Sequence, residues 1–122
     1  MAAAVQELMQ GNLLEVFNER DPQRRRAAIE RIYAPDVRWT DEEGVSVGHD
    51  ALDAKADALQ HGLGPLQFVP AGPVHGLNGF GHMAWHLVAE DGGTPQVSGF
   101  DVAIIRDDVI AELYTVLTPV SS

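Results

Sequence analysis

One carboxylate in this 122-residue chain has surroundings that would make it reactive. Asp101 lies within Val97-Ser98-Gly99-Phe100-Asp101-Val102-Ala103-Ile104-Ile105, and no basic residue follows it until Arg106. A strand of that composition is normally buried, and a buried carboxylate is costly unless it is protonated, hydrogen-bonded or solvated in a cavity. Asp101 therefore points to a pocket, where it would move a proton or hold a polar group of a ligand. A second acid, Asp41, ends a short strand at the polar turn Asp41-Glu42-Glu43-Gly44. That setting keeps a carboxylate ionised, and it suits an exposed turn as well as a site. Other chemistries have less support. There is no cysteine, hence no thiol nucleophile, disulfide or thiolate metal site. His82 and His86 have the four-residue spacing that chelates a metal on a helix, but on a strand four residues span about 13 Å, too wide for one ion. No motif for a metal or an organic cofactor stands out.

The elements that must position these acids follow from periodicity. Val5, Leu8, Met9, Leu13, Val16 and Phe17 form the stripe of an amphipathic helix over roughly residues 3 to 19. Asp21-Pro22 is a cap followed by proline, opening a second helix with Ala28, Ile29, Ile32 and Tyr33 on its apolar face and Ala34-Pro35 at its end. The run Arg24-Arg25-Arg26 diverges around that helix and is expected on a solvated surface. Val37 to Thr40 alternates like a short strand, with Val45 and Val47 as its return. Gly48-His49-Asp50 opens a third helix that buries Leu52, Ala56, Leu59 and Leu63 and stops at Gly62 to Pro65. Beyond it come only strand-like runs, near 66–75, 79–90, 96–106 and 109–118, separated by turns. Helices first and strands afterwards predict a single α+β domain over residues 1–122, its helices packed on one face of a curved, mainly antiparallel sheet.

Strand alternation then separates two faces. Val97, Gly99, Asp101, Ala103 and Ile105 share one side of their strand, and Ser98, Phe100, Val102 and Ile104 the other. If the helices cover the Asp101 side, the second apolar face needs another cover, and a second copy of the sheet is the simplest, so a homodimer is expected. In the neighbouring strand Met83, Trp85 and Leu87 face inward while His82 and His86 face outward. The pocket wall is expected to draw on Phe17, Tyr33, Trp39, Leu59, Trp85 and Leu113, with His49 at its mouth. Eighteen acids against eight bases give a net charge of −10, which disfavours nucleic acid and anionic lipid as partners. No apolar run approaches the roughly 18 residues of a membrane helix, and the first residues lack the pattern of a secretory signal, so a cytoplasmic location is expected.

Two stretches resemble the SnoaL-like and ketosteroid-isomerase-like branch of the NTF2-like superfamily. The first runs from Tyr33-Ala34-Pro35-Asp36 through Trp39 and Asp41 to Gly48-His49-Asp50-Ala51-Leu52; the second runs from Gly99-Phe100-Asp101 through the acidic turn Asp107-Asp108 to Ile110-Ala111-Glu112-Leu113-Tyr114. The resemblance spans most of the chain and implies an α+β cone with a mixed sheet, open at one end, around an apolar cavity for a small hydrophobic molecule. It also implies a dimer through the sheet. Asp41 is similar in position to the general base of those isomerases, and Asp101 to the neutral acid that donates a hydrogen bond to the developing enolate; in SnoaL-type polyketide cyclases the late-strand acid is itself the base. The tyrosine that the isomerases carry on their first helix is replaced at the aligned positions by Leu13, Leu14 and Phe17, leaving Tyr33 or Trp39 to supply a donor. Gly99 stands where related epoxide hydrolases place an arginine, so that reaction is discounted. Two functions remain open: proton transfer beside a carbonyl, as in an isomerase or polyketide cyclase, or ligand binding by an accessory dimeric module without turnover.

Overall fold

The computed structural model describes residues 2–89 and 92–119. Helix α1 (Ala2–Gly11) continues into a π-helical segment, Asn12–Phe17. The wider turn is marked by the Asn18 N–H donating to the Leu13 carbonyl, five residues back, at 3.1 Å. Together they cover nearly the range that the apolar stripe predicts. The Asp21 side chain caps α2 (Pro22–Ile32) by accepting from the Gln23 N–H at 2.9 Å, with proline at the first helical position as expected.

Strand β1 (Tyr33–Asp41) starts directly at the end of α2, four residues earlier than the alternation indicates. Pro35 lies inside this strand rather than ending the helix. A register shift between Tyr33 and Arg38 accommodates it, because a ladder can carry a residue without an N–H at a bulge. The remaining elements are β2 (Gly44–Val47), α3 (His49–Leu63), β3 (Gln67–Pro70), β4 (His75–Leu77), β5 (Phe80–Ala89), β6 (Gly92–Arg106) and β7 (Val109–Thr118). The last two thirds of the chain follow the expected order, with three differences: the run near 66–75 is strand only over Gln67–Pro70, β4 is an additional short strand, and β6 begins four residues before position 96; Glu90 lies outside the described residues.

The seven strands form one open mixed sheet in the order β2-β1-β7-β6-β5-β3, with β4 also paired to β5. Among the described residues the β1–β7 pair is parallel and the other pairs are antiparallel. Asp107 and Asp108, with φ of 55° and 66°, make the two-residue β6–β7 turn in the left-handed conformation that tight hairpins favour and aspartate tolerates. The helices cover one face of the sheet. Val5, Met9, Leu13, Val16 and Phe17 meet Ile29 and Ile32 of α2 and the inward residues Trp39, Met83, Trp85, Ala103 and Leu113 in one core. A Cβ on Gly81 would lie 2.8 Å from the Met9 sulfur, so glycine there lets α1 approach β5 closely. No described helix is long and apolar enough to cross a membrane.

Arg25 departs from the expected solvated surface. It is 2% exposed, and its guanidinium reaches Asp53 at 2.9 Å, Asp57 at 2.7 Å, the Gln60 side-chain oxygen at 2.7 Å and the Glu19 carbonyl at 3.0 Å. Divergence around α2 does leave Arg24 in water, but it also turns one member of the run toward α3. That helix presents Asp53, Asp57 and Gln60 at helical spacing to receive it.

Candidate functional site

Between the π-helical segment, α3 and the concave face of the sheet lies a cavity of about 480 Å³. Leu13 and Phe17 form one wall, Leu59 and Leu63 a second, and Trp39, Phe68, Trp85, Leu87 and Leu117 the sheet side. Trp39, Phe17, Phe68 and Trp85 meet edge to face in that order, with successive centroids 5.0, 6.3 and 5.1 Å apart, which fixes the shape of the lining. Among the described lining residues, Asp101 and Thr115 are the polar groups within this apolar enclosure, while Asp41, Glu42, Glu43 and Lys55 also line it.

Strand register brings the polar groups together. Asp101 on β6 stands between Met83 of β5 and Thr115 of β7. Its carboxylate, 2% exposed, accepts from the Trp85 indole N–H at 3.2 Å and the Thr115 hydroxyl at 2.9 Å on Oδ1, and from the Asn12 amide at 2.8 Å on Oδ2. Behind this shell, the Trp39 N–H donates to the Thr115 hydroxyl at 3.0 Å and the Tyr33 hydroxyl donates to the Asn12 amide oxygen. A Cβ on Gly99 would fall 2.6 Å from the Trp85 ring, so this glycine allows the indole to lie across β6 with its N–H aimed at Asp101.

Burial pushes the Asp101 carboxyl up to about 6, against the opposing pull of the hydrogen bonds from Thr115, Trp85 and Asn12. The rise is in the direction that an acid amid apolar residues is expected to take, while the three hydrogen-bond neighbours, all donors, favour the ionised form. Burial, and then the charge of Asp101, holds the Tyr33 phenol well above its ordinary value, so it stays neutral.

Asp41 lines the cavity in a different state from the free base that the resemblance implies. Its carboxylate is 2.5 Å from Lys55 Nζ, which also approaches Glu43 at 3.4 Å and lies 4.9 Å above the Trp39 ring. Trp39 pairs with Leu113 and Thr40 with Tyr114, so one further step in that register sets Asp41 beside Thr115. The row Asp41–Thr115–Asp101 crosses three adjacent strands, and the two acids are separated by two strand spacings, about 10 Å.

Of the residues expected on the wall, Phe17, Trp39, Leu59 and Trp85 line the cavity together with Asp41 and Asp101. Three are elsewhere among the described positions. Tyr33 is buried behind Asn12, Leu113 is fully enclosed in the core, and the His49 ring bonds to the Tyr33 carbonyl at 3.0 Å. His82 and His86 are on β5, alternate with the inward Trp85 and Leu87, and take no part in the cavity. Among the described residues no group of three or more His, Cys, Asp or Glu side chains is arranged to hold a metal ion. Sequence reasoning missed Asn12, Lys55 and Thr115. Asn12 carried a signal, since it lies on the apolar stripe three residues after Met9 and four before Val16. Thr115 carried one as well, alternating with Leu113 and Leu117 on the inward face of β7.

No protein-family model and no curated protein matches the sequence. The fold, in contrast, recurs in solved structures. A candidate isomerase of the SnoaL-like family from Agrobacterium tumefaciens superposes with a TM-score of 0.88 at 24% identity, covering 96% of this chain and 99% of its own. The fold is that of the NTF2-like, SnoaL-like branch. Two further solved structures share the fold. A candidate SnoaL-like polyketide cyclase from Jannaschia matches with a TM-score of 0.78 at 12% identity over 94% of this chain and 85% of that one. A candidate ketosteroid isomerase from Kribbella flavida matches with a TM-score of 0.75 at 13% identity over 98% and 82%. At these identities the likeness establishes the SnoaL-like fold, and the cavity must supply the argument for chemistry.

Proposed function

We propose that this SnoaL-like protein binds a small hydrophobic carbonyl compound and transfers a proton at the carbon beside the carbonyl, with Asp101 as the base. One observation carries the reading: a carboxylate fixed by three uncharged donors, with no basic partner among the described residues, in the wall of an apolar cavity. A base works best when its pKa lies near the working pH, and a carboxyl raised to about 6 is ionised at neutral pH yet far more basic than one in water. Asp101 takes the proton and becomes a carboxylic acid, while the C–H electron pair forms the carbon–carbon double bond of an enolate and the carbonyl π pair moves onto oxygen. Return of the proton at another carbon gives isomerisation; attack of the enolate carbon on a second carbonyl gives aldol ring closure. Trp39 and Tyr33 already spend their N–H and O–H on Thr115 and Asn12, so Lys55, the one cation among the described lining residues, is the group that supplies positive charge for the enolate. Asp41 holds Lys55 in place. The names of the structural neighbours, candidate isomerases and a polyketide cyclase, agree with this reaction class.

The test is deuterium incorporation from heavy water into a panel of small cyclic ketones and β-diketones, followed by NMR. Wild type should accelerate exchange in at least one compound, with a rate that rises with pH through about 6 and then levels. Asp101→Asn should lose about 100-fold or more. Equal exchange by wild type and variant sinks the proposal. A second reading has its own support: Asp101 Oδ2 receives only the Asn12 donor among the described residues, leaving an acceptor position for a ligand hydroxyl. On that reading the protein binds a hydrophobic alcohol without turnover. Compounds extracted from the wild-type protein and lost from Asp101→Asn, with no exchange in either, would favour it.

A further inference from the structure

We infer that Tyr33 and Asn12 act as a positioning pair that holds Asp101 in its carboxylate form. Neither lines the cavity, and neither has a place in the base chemistry above, on which this inference rests. Asn12 is completely buried, and Tyr33 is 1% exposed. A buried primary amide can be turned either way, offering a neighbour its N–H or its carbonyl oxygen. Tyr33 decides which. Its hydroxyl donates to Asn12 Oδ1, and this directs Nδ2 to Asp101 Oδ2 at 2.8 Å. If the amide turned over, Nδ2 would face the phenol oxygen, and the phenol proton would lose its acceptor among the described residues.

The orientation has a chemical consequence. An N–H facing Asp101 favours the ionised acid, whereas a carbonyl oxygen there would favour the protonated acid by accepting its O–H. The other groups facing the carboxylate are the Trp85 indole of β5 and the Thr115 hydroxyl of β7, and neither titrates in the relevant range. Tyr33 on β1 is the ionisable group in the network, and its buried phenol stays protonated. The Tyr33 hydroxyl thus acts on the base through one intervening amide. The π-helical turn supplies the geometry, since it starts at Asn12 and sets that side chain between the end of α2 and β6.

The experiment follows the carbon-13 carboxyl resonance of Asp101 with pH, assigned by its absence in Asp101→Asn. Asn12→Leu removes the donor and should raise the titration midpoint by about one unit. Tyr33→Phe keeps the ring and frees the amide to turn, so it should also raise the midpoint, by a smaller amount. A Tyr33→Phe midpoint at or below that of wild type overturns the pairing. A purely structural role would lower the unfolding temperature without moving the titration. Should Asn12→Leu not fold, Tyr33→Phe alone decides the matter. Because no turnover is needed, the result separates from the base reading: a midpoint that rises in a protein without exchange activity supports the pair and removes the catalytic reading.

Discussion

An acid pushed upward by burial leaves a mark on how stability varies with pH. The Asp101 carboxyl titrates near 3.8 when the chain is unfolded and at about 6 when it is folded. Between those values the folded protein holds the proton more tightly than the unfolded chain, so this group makes stability fall as pH rises through the window and adds no further change above it. The shift corresponds to about 3 kcal/mol as an order of magnitude. Asp101→Asn has no proton to lose at that position. The stability of the variant minus that of wild type should therefore grow by about 3 kcal/mol from below pH 4 to pH 7 in urea denaturation. Every other titrating group is common to both proteins and cancels in the difference. Parallel stability curves would mean that Asp101 is not held in the apolar setting that its use as a base requires.

At the level of elements, the π-helical segment ends in carbonyls that its own last turn satisfies only in part, and α3 supplies further donors. Gln60 gives its amide N–H groups to the Val16 and Phe17 carbonyls at 3.1 and 2.9 Å, while its side-chain oxygen accepts from Arg25 at 2.7 Å. Gln60→Leu strands the Phe17 carbonyl and one arginine N–H, while the Val16 carbonyl keeps the Glu19 N–H at 3.4 Å, and should cost about 2–4 kcal/mol. Chemical denaturation reads this directly, and a loss below about 1 kcal/mol would show that the segment does not depend on α3. The same segment marks where the sequence stopped being legible. The Asp21-Pro22 cap, the limits of α3, the acidic β6–β7 turn and the inward side of Asp101 could all be read because each is written within a few neighbouring residues. The π-turn could not, since the positions Val5, Met9, Asn12 and Val16 also fit an ordinary α-helical stripe, and the extra residue per turn is visible only in the hydrogen bonds. The Lys55–Asp41 contact and the parallel β1–β7 pair join distant parts of the chain that no local periodicity encodes. Asp101 was found as an outlier against its background; the residues that set its charge state came from α1, β5 and β7 at once.

For the whole molecule, the open question is the sheet face turned away from the helices. On it, His82, Val102 and Tyr114 form one row across β5, β6 and β7, and Ala84, Phe100 and Val116 form the next. The His82 ring packs against Phe100 at 5.2 Å and His75 at 5.6 Å, while Tyr114 and Val116 remain 37% and 42% exposed. An apolar centre with a polar border is the composition of a protein interface, and a sheet face of several strands can supply the roughly 800 Å² per partner that a stable pair needs. We propose that a second copy of the chain covers it, as the two-sided apolar pattern of β6 leads one to expect. Two copies, each with a net charge of −10, repel one another, so association should tighten with added salt, the reverse of what a salt-bridged interface would do. Sedimentation of wild type at micromolar concentration should give a dimer. Val102→Lys places an ammonium in the middle of the face and should give a monomer whose Asp101 titration is unchanged, because Val102 points away from the cavity. A wild-type chain that stays monomeric at every salt concentration, or a Val102→Lys chain that still pairs, would assign the face to solvent or to another partner. The cavity on the opposite side would then function without a second copy behind it.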